Sequence, residues 1–318
     1  MGVNLSTQIG KIKLKNPVLS ASGTFGHAKE FEKFIDLGKL GGIVTKTITL
    51  KPRLGNPPQR IVETPSGMLN AIGLQNPGAE KFVSEKLPFL RRIGVPVIVS
   101  VMAYGVDEFV KLVQFLENED GIDGYEMNLS CPNVSYNTAV AKAAADRGLT
   151  DVRMFAHDEK MIEDAVGSVR KVTQRTLIAK LGPDVSNIGK MAQAAERAGA
   201  DAVALINTFV AMKIDVRTRR PVLANKTGGL SGPCIRPIAV RLVWEAAKAV
   251  NVPVVGIGGI MTGEDAAEFL IAGASAVQVG TANFMNPAAT MDILKGLEEF
   301  MKSEKLEDVQ KLIGSIKV

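Results

Sequence analysis

The stretch EMNLSCPNVSYN, residues 126–137, sets Cys131, one of only two cysteines in the chain, beside Asn128, Asn133 and Asn137. A thiolate in such polar company can take a proton from, or return one to, a neighbouring substrate. The commoner fate of a free cysteine is that of a small buried hydrophobe, and Cys234, in LSGPCIRP, is assigned that role because it has no comparable neighbours. Asn70, Asn128, Asn133 and Asn207 form the second candidate set. Converging amides match a planar ring with alternating C=O and N–H groups, as in a pyrimidine, although any one asparagine also suits a turn or cap. Lys46 and Lys180 form the third. A cation beside a bound cofactor stabilises negative charge on a reduced ring, which fits a flavin; the alternative for either lysine is a buried pair with a carboxylate.

Two glycine-bearing segments, GIGGIMTGED (256–265) and VGTANF (279–284), suit a phosphate, because glycine lets backbone N–H groups approach an anion and a helix N-terminus adds positive partial charge. The alternative is two ordinary tight turns. Gly256-x-Gly258-Gly259 lacks the third glycine of the Rossmann fingerprint and its downstream ribose-binding acid, so a dinucleotide held in that manner is not expected.

These residues need a frame that brings them together. Short apolar runs recur at 16–22, 41–47, 95–101, 124–130, 176–182, 200–208, 252–259 and 274–281, separated by amphipathic stretches such as 107–118, 187–200 and 235–250. Continuous apolar runs are strands buried on both faces, as in parallel sheets. Eight strand–helix units in one chain predict a closed (β/α)₈ barrel, taken as a single domain over 1–318. Long excursions at 50–78, 132–157 and 209–232 follow strand ends on the face where barrels build active sites. The polar rim falls there too: Ser20, Ser22, Thr45, Lys46, Ser100, Asn128, Ser130, Lys180, Asn207, Thr208, Gly280 and Thr281.

Composition narrows the function. Lys+Arg number 38 against 33 Asp+Glu, and the bases are dispersed, which argues against nucleic acid. Two cysteines and two histidines, His27 and His157, are too few for a four-thiolate cluster or a histidine-rich metal centre. No signal peptide or membrane-length apolar run is read, so a cytoplasmic protein without membrane contact is expected. Gly2 with Ser6 matches the myristoylation pattern, which is too short to weigh.

Together the strings NPVLSASGTFG, VTKTITLKPRLGNPPQRIVET, GMLNAIGLQNPG, NLSCPNV, INT, ANKTGGLSGP, VVGIGGI and ASAVQVGTANF resemble the catalytic subunits of class I, type B dihydroorotate dehydrogenases, from about residue 3 to about residue 300. The resemblance implies an FMN barrel that oxidises dihydroorotate to orotate in pyrimidine synthesis. Cys131 would be the base for the proton on carbon five, with hydride leaving carbon six for the flavin. Substrate contacts would fall on Lys46, Asn70, Ala71, Ile72, Gly73, Leu74, Asn128, Asn133, Asn207 and Thr208. Flavin contacts would fall on Ala21, Ser22, Thr45, Lys46, Ser100, Asn128, Lys180, Ile206, Gly232, Gly258, Gly259, Gly280 and Thr281. It further implies a homodimer joined by an electron-transfer subunit, carrying FAD and a [2Fe–2S] cluster, into a heterotetramer that reduces NAD.

The chain departs from the family's usual pattern in SYNTAVAKAAADRGLTDVRMFAHDEKM (135–161), VSVMAYG (99–105) and KLGPDV (180–185). Two other readings are weighed: a relative acting on another dihydropyrimidine such as dihydrouracil, and a non-catalytic phosphate-binding scaffold. Retention of Lys46 and NAIGL favours dihydroorotate, and retention of Cys131 with Lys46 disfavours the scaffold.

Overall fold

The computed structural model describes residues 2–130 and 155–317. All eight apolar runs become strands of one sheet: β1 (Val18–Ser20), β2 (Ile43–Val44), β3 (Val97–Val101), β4 (Gly124–Asn128), β5 (Thr176–Leu181), β6 (Ala202–Leu205), β7 (Val254–Ile257) and β8 (Ala274–Val279). Their order is β1-β8-β7-β6-β5-β4-β3-β2, with every pair parallel. The ring closes where Leu19 bridges Gly42 and the Val44 N–H donates to Ser20 Oγ at 3.0 Å. This is the (β/α)₈ barrel that the pattern predicts.

Alternation along each strand divides the core in two. Ile98, Ile178, Ala204 and Val255 pack inside the barrel, whereas Val97, Val99, Leu177, Ala179 and Val203 pack against the helical layer. That double burial is why the strands read as unbroken apolar runs. The expected helices lie at Val106–Glu117, Ile188–Arg197 and Arg236–Ala249.

Two features go beyond the sequence pattern. An antiparallel hairpin, Thr7–Ile9 with Ile12–Leu14, places Ile9, Ile12 and Leu14 in the barrel-interior cluster and so plugs the N-terminal end. Its turn needs Gly10, at φ +54°, where a Cβ would lie 2.7 Å from Asp201 Cβ. The excursions after β2 and β6 merge into one four-stranded antiparallel sheet, ordered Phe209–Ala211, Gly228–Ser231, Gly67–Asn70, Ile61–Thr64. Leu69, Ala71 and Leu223 form its small apolar core.

The helix Gly263–Ile271, which follows β7 and packs on β8, is fixed by chemistry at its first turn. Thr262 Oγ1 accepts from Asp265 N at 3.1 Å, while the Asp265 carboxylate accepts from the Met261 and Thr262 N–H groups at 2.8 and 3.0 Å and pairs with Arg236. Gly263 itself touches the helix Ala289–Ser303 so closely that a Cβ would lie 2.1 Å from the Gly296 carbonyl carbon. Gly263→Ala is therefore expected to cost about 1–3 kcal/mol, the usual penalty of overpacking. Urea unfolding of the two proteins side by side checks this, and equal midpoints would show that the two helices separate freely.

Candidate active site

A cavity of about 500 Å³ opens at the C-terminal ends of the barrel strands. Its wall draws Ala21 and Ser22 from beyond β1, Lys46 and Thr47 from beyond β2, Asn128 from β4 and Lys180 from β5. Ile206, Asn207 and Thr208 follow from β6, Gly258 and Gly259 from β7, and Gly280 and Thr281 from β8. The four-stranded sheet adds Met68, Asn70 and Ser231, and the segment leaving it adds Ile72, Gly73 and Leu74. Gly232 lies beside them.

Under the cavity the otherwise apolar barrel interior carries a polar cluster. Lys180 is 4% exposed, and its ammonium donates to Ser22 Oγ at 3.0 Å and to Glu126 Oε1 at 3.4 Å. Glu126 is wholly buried, and its second oxygen accepts from Gln278 Nε2 at 2.6 Å. A carboxylate so deep is tolerable only when each oxygen has a donor. Lys180 is thus ion-paired with a carboxylate, as the second sequence reading has it, and it also lines the cavity.

The amide groups are organised before any ligand arrives. Asn207 Nδ2 donates to Asn128 Oδ1 at 3.1 Å and to the Ser130 carbonyl at 3.0 Å, which ties the end of β6 to the end of β4. The Thr208 N–H donates to Asn207 Oδ1 at 2.9 Å and completes its bonding. Asn70 Nδ2 reaches the Gly229 carbonyl at 3.4 Å across the sheet. The 72–76 segment is pinned by Asn76, whose amide donates to the Leu74 carbonyl at 2.7 Å while its oxygen accepts from Gly78 N at 2.9 Å. Gly73, at φ +73°, has no room for a Cβ, which would lie 2.6 Å from Asn56 Cγ.

Three candidates lie off the wall. Thr45 and Ser100 are buried behind it: Ser100 N–H donates to Thr45 Oγ1 at 3.2 Å, and the Ser100 hydroxyl bonds Thr47 Oγ1 at 2.9 Å. Thr47, not Ser100, carries that chain to the cavity, because Thr47 lies past the end of β2. Ala71 is buried in the small apolar cluster, and its carbonyl accepts from Asn56 Nδ2 at 3.0 Å. Cys131, Asn133 and most of the 132–157 excursion lie outside the described residues.

Sequence reasoning missed Glu126, Gln278 and Ser231. The first two carried a signal, since a polar side chain interrupts the apolar runs GYEMN and ASAVQV. Ser231, which accepts from Thr281 Oγ1 at 2.9 Å, carried none. Among the described residues no group of three His, Cys, Asp or Glu could hold a metal ion, and no helix is long and apolar enough to cross a membrane.

His27 is buried with its ring tilted against Phe82 at 5.4 Å, and burial lowers its pKa to about 4; Glu30 opposes the shift, and Lys86 and Lys46 add to it. The unfolded chain, with the ordinary value near 6.5, binds more protons between those limits. This contribution to stability is complete above about pH 6.5 and is lost as pH falls towards 4. At about 1.4 kcal/mol per tenfold in proton affinity, the loss approaches about 3 kcal/mol. His27→Leu should flatten the decline in unfolding free energy between pH 6.5 and 4; an unchanged slope would place the acid sensitivity elsewhere.

Residues 4–301 match the family model described as dihydroorotate dehydrogenase. Relatives named dihydroorotate dehydrogenase B (NAD(+)), catalytic subunit, align along essentially their whole length. The protein of Trichlorobacter lovleyi is 50% identical, with 98% of each chain covered. That of Geotalea daltonii is 49% identical, with 99% of each covered. That of Thermodesulfovibrio yellowstonii is 48% identical, over 98% of this chain and 99% of its own. With a matching family model across the whole barrel and relatives at this identity, the chain belongs to the dihydroorotate dehydrogenase family of oxidoreductases.

Proposed function

We propose that this chain is a single FMN-binding barrel domain that oxidises (S)-dihydroorotate to orotate in pyrimidine synthesis, with Cys131 as the base. The observation that carries the reading is the gathering of Lys46, Asn70, Asn128, Asn207 and Lys180 on one cavity wall together with the glycines that end β7 and β8.

The residues present fit an FMN. Gly232, Gly258 and Gly259 have φ of +102°, +134° and +76°, so their backbones turn at the cavity without presenting a side chain. A Cβ on Gly259 would lie 2.8 Å from the Gly232 carbonyl oxygen, so the β6 and β7 loops meet in a cradle with no room for one. Ala21, Ile206 and Ile257 supply apolar wall for a flat ring. Lys180 and Lys46 supply positive charge, and Ser22, Asn128, Gly280 and Thr281 complete the contacts. Thr45 and Ser100 support this set from behind through Thr47. Bound there, the cofactor would accept the hydride that leaves carbon six of the substrate.

The chain's own work is to hold the substrate and move one proton. Asn70, Asn128, Asn133 and Asn207, with Thr208, would read the amide edges of the ring, and Lys46 would meet the carboxylate beside the 71–74 backbone. The Asn207–Asn128–Ser130 bonds fix the strand end from which the chain runs directly into Cys131. From there Cys131 would remove the proton from carbon five. The relatives' printed name, dihydroorotate dehydrogenase B (NAD(+)), catalytic subunit, supports a further subunit and a link to NAD. In keeping with the sequence resemblance, that subunit would carry FAD and a [2Fe–2S] cluster and would join a homodimer of this chain in a cytoplasmic heterotetramer.

Anaerobic mixing of the FMN-loaded chain with dihydroorotate should bleach the flavin absorbance, and Cys131→Ala should slow the bleaching by roughly 10²–10⁴-fold while leaving FMN bound. Bleaching by dihydrouracil instead would reassign the substrate. Lys46→Ala should weaken orotate binding in a titration more than it weakens FMN binding; the reverse order would move Lys46 to the cofactor.

A further inference from the structure

Among the described residues, Glu126 is a fully buried carboxylate of the barrel interior that pairs with a cavity-lining lysine without lining the cavity itself. It belongs to the inward face of β4, where Asn128 stands one layer higher beside Lys180. Layers of aliphatic side chains fill such an interior without any charge, as Ile98, Ile178 and Val255 do elsewhere in this barrel. Here the chain instead buries a carboxylate completely and spends two neighbours on it, Lys180 at 3.4 Å and Gln278 at 2.6 Å. Gln278 Oε1 finds no donor among the described residues, so this amide is oriented by the carboxylate alone.

We propose that Glu126 is a positioning residue that sets the reduction potential of the cofactor by offsetting the charge of Lys180. This rests on the FMN reading above. The ammonium faces the cavity on one side and the carboxylate on the other. In a water-poor interior the carboxylate's field is weakly screened. It therefore reduces the positive potential that Lys180 presents to a cofactor that becomes more negative on reduction. A lysine without that counter-charge would hold the electrons more tightly. The acceptor printed in the relatives' name, NAD(+), is a weak oxidant, so a site that must pass electrons towards it gains from releasing them easily. Gln278, by fixing the far oxygen, keeps the near one on Lys180.

The test measures FMN affinity and the two-electron midpoint of the bound cofactor in the full-length chain, without turnover. Glu126→Gln keeps the shape and removes the charge, and its new amide can donate to the vacant Gln278 oxygen after that amide turns. Reduced FMN should then bind at least tenfold more tightly relative to oxidised FMN, which for a two-electron couple is an upward shift of about 30 mV. Glu126→Asp, which keeps the charge, should stay closer to the parent. If Glu126→Gln does not fold, the Glu126→Gln/Lys180→Gln protein should have a midpoint closer to the parent's than Lys180→Gln alone has, because the carboxylate's opposing contribution leaves with the lysine's. A Glu126→Gln midpoint that is unmoved or lower, or a double variant no closer to the parent than Lys180→Gln, overturns the proposal. If the parent chain itself binds no FMN, the cofactor reading falls first and takes the proposal with it.

Discussion

The arrangement rests on the ion pair that crosses the inside of the barrel. Glu126 on β4, Lys180 on β5, Gln278 on β8 and Ser22 beyond β1 are joined through three contacts of 3.4, 2.6 and 3.0 Å. Four staves of the ring are thereby held by side chains as well as by ladder bonds. Each partner alone would be a liability, since breaking a buried pair leaves an uncompensated charge and costs about 3–5 kcal/mol. The pair therefore dictates that its neighbours be polar and correctly aimed. Below it the hairpin of Ile9, Ile12 and Leu14 excludes water, and above it lies the cavity.

Above the pair, the chain prepares a polar site by satisfying its groups in advance. Asn207 bonds Asn128 and the Ser130 carbonyl, Thr281 bonds Ser231, and Thr47 bonds Ser100. Each bond joins different strands or excursions, so the orientation of a side chain at one strand end depends on its neighbour. Preorganisation of this kind lowers the ordering cost when a ligand binds.

The barrel was legible because its physics is local: strands buried on both faces must be apolar throughout, and the helices between them must be amphipathic. The site was legible to the extent that polar residues fall at strand ends, which is why Lys46, Asn128, Lys180, Asn207 and the glycines of β7 and β8 appear on the wall. Thr45 and Ser100 share the same composition signal but lie behind Thr47, because strand-end direction is decided by side-chain alternation and a short β2. The pairing of Gly67–Asn70 with Gly228–Ser231 was not legible at all, since no local pattern announces a partner so far along the chain. Glu126 carries a legible signal, since a charge within an otherwise apolar strand demands a partner, and Lys180 on the neighbouring strand supplies it.

That long-range pairing also orders events in time. Asn70 and Leu69 find their partners, Gly229 and Leu230, only after some 160 further residues have been made. The entropy of closing such a loop grows slowly with its length, but a ribosome delivers the second half only after β3 to β6 have emerged. The N-terminal strands must therefore wait, with Ile61 to Asn70 unpaired on one side, while the rest of the ring is synthesised. The cavity is thus among the last parts of the molecule to exist, and a nascent chain stalled before residue 228 holds most of the strands and no complete site.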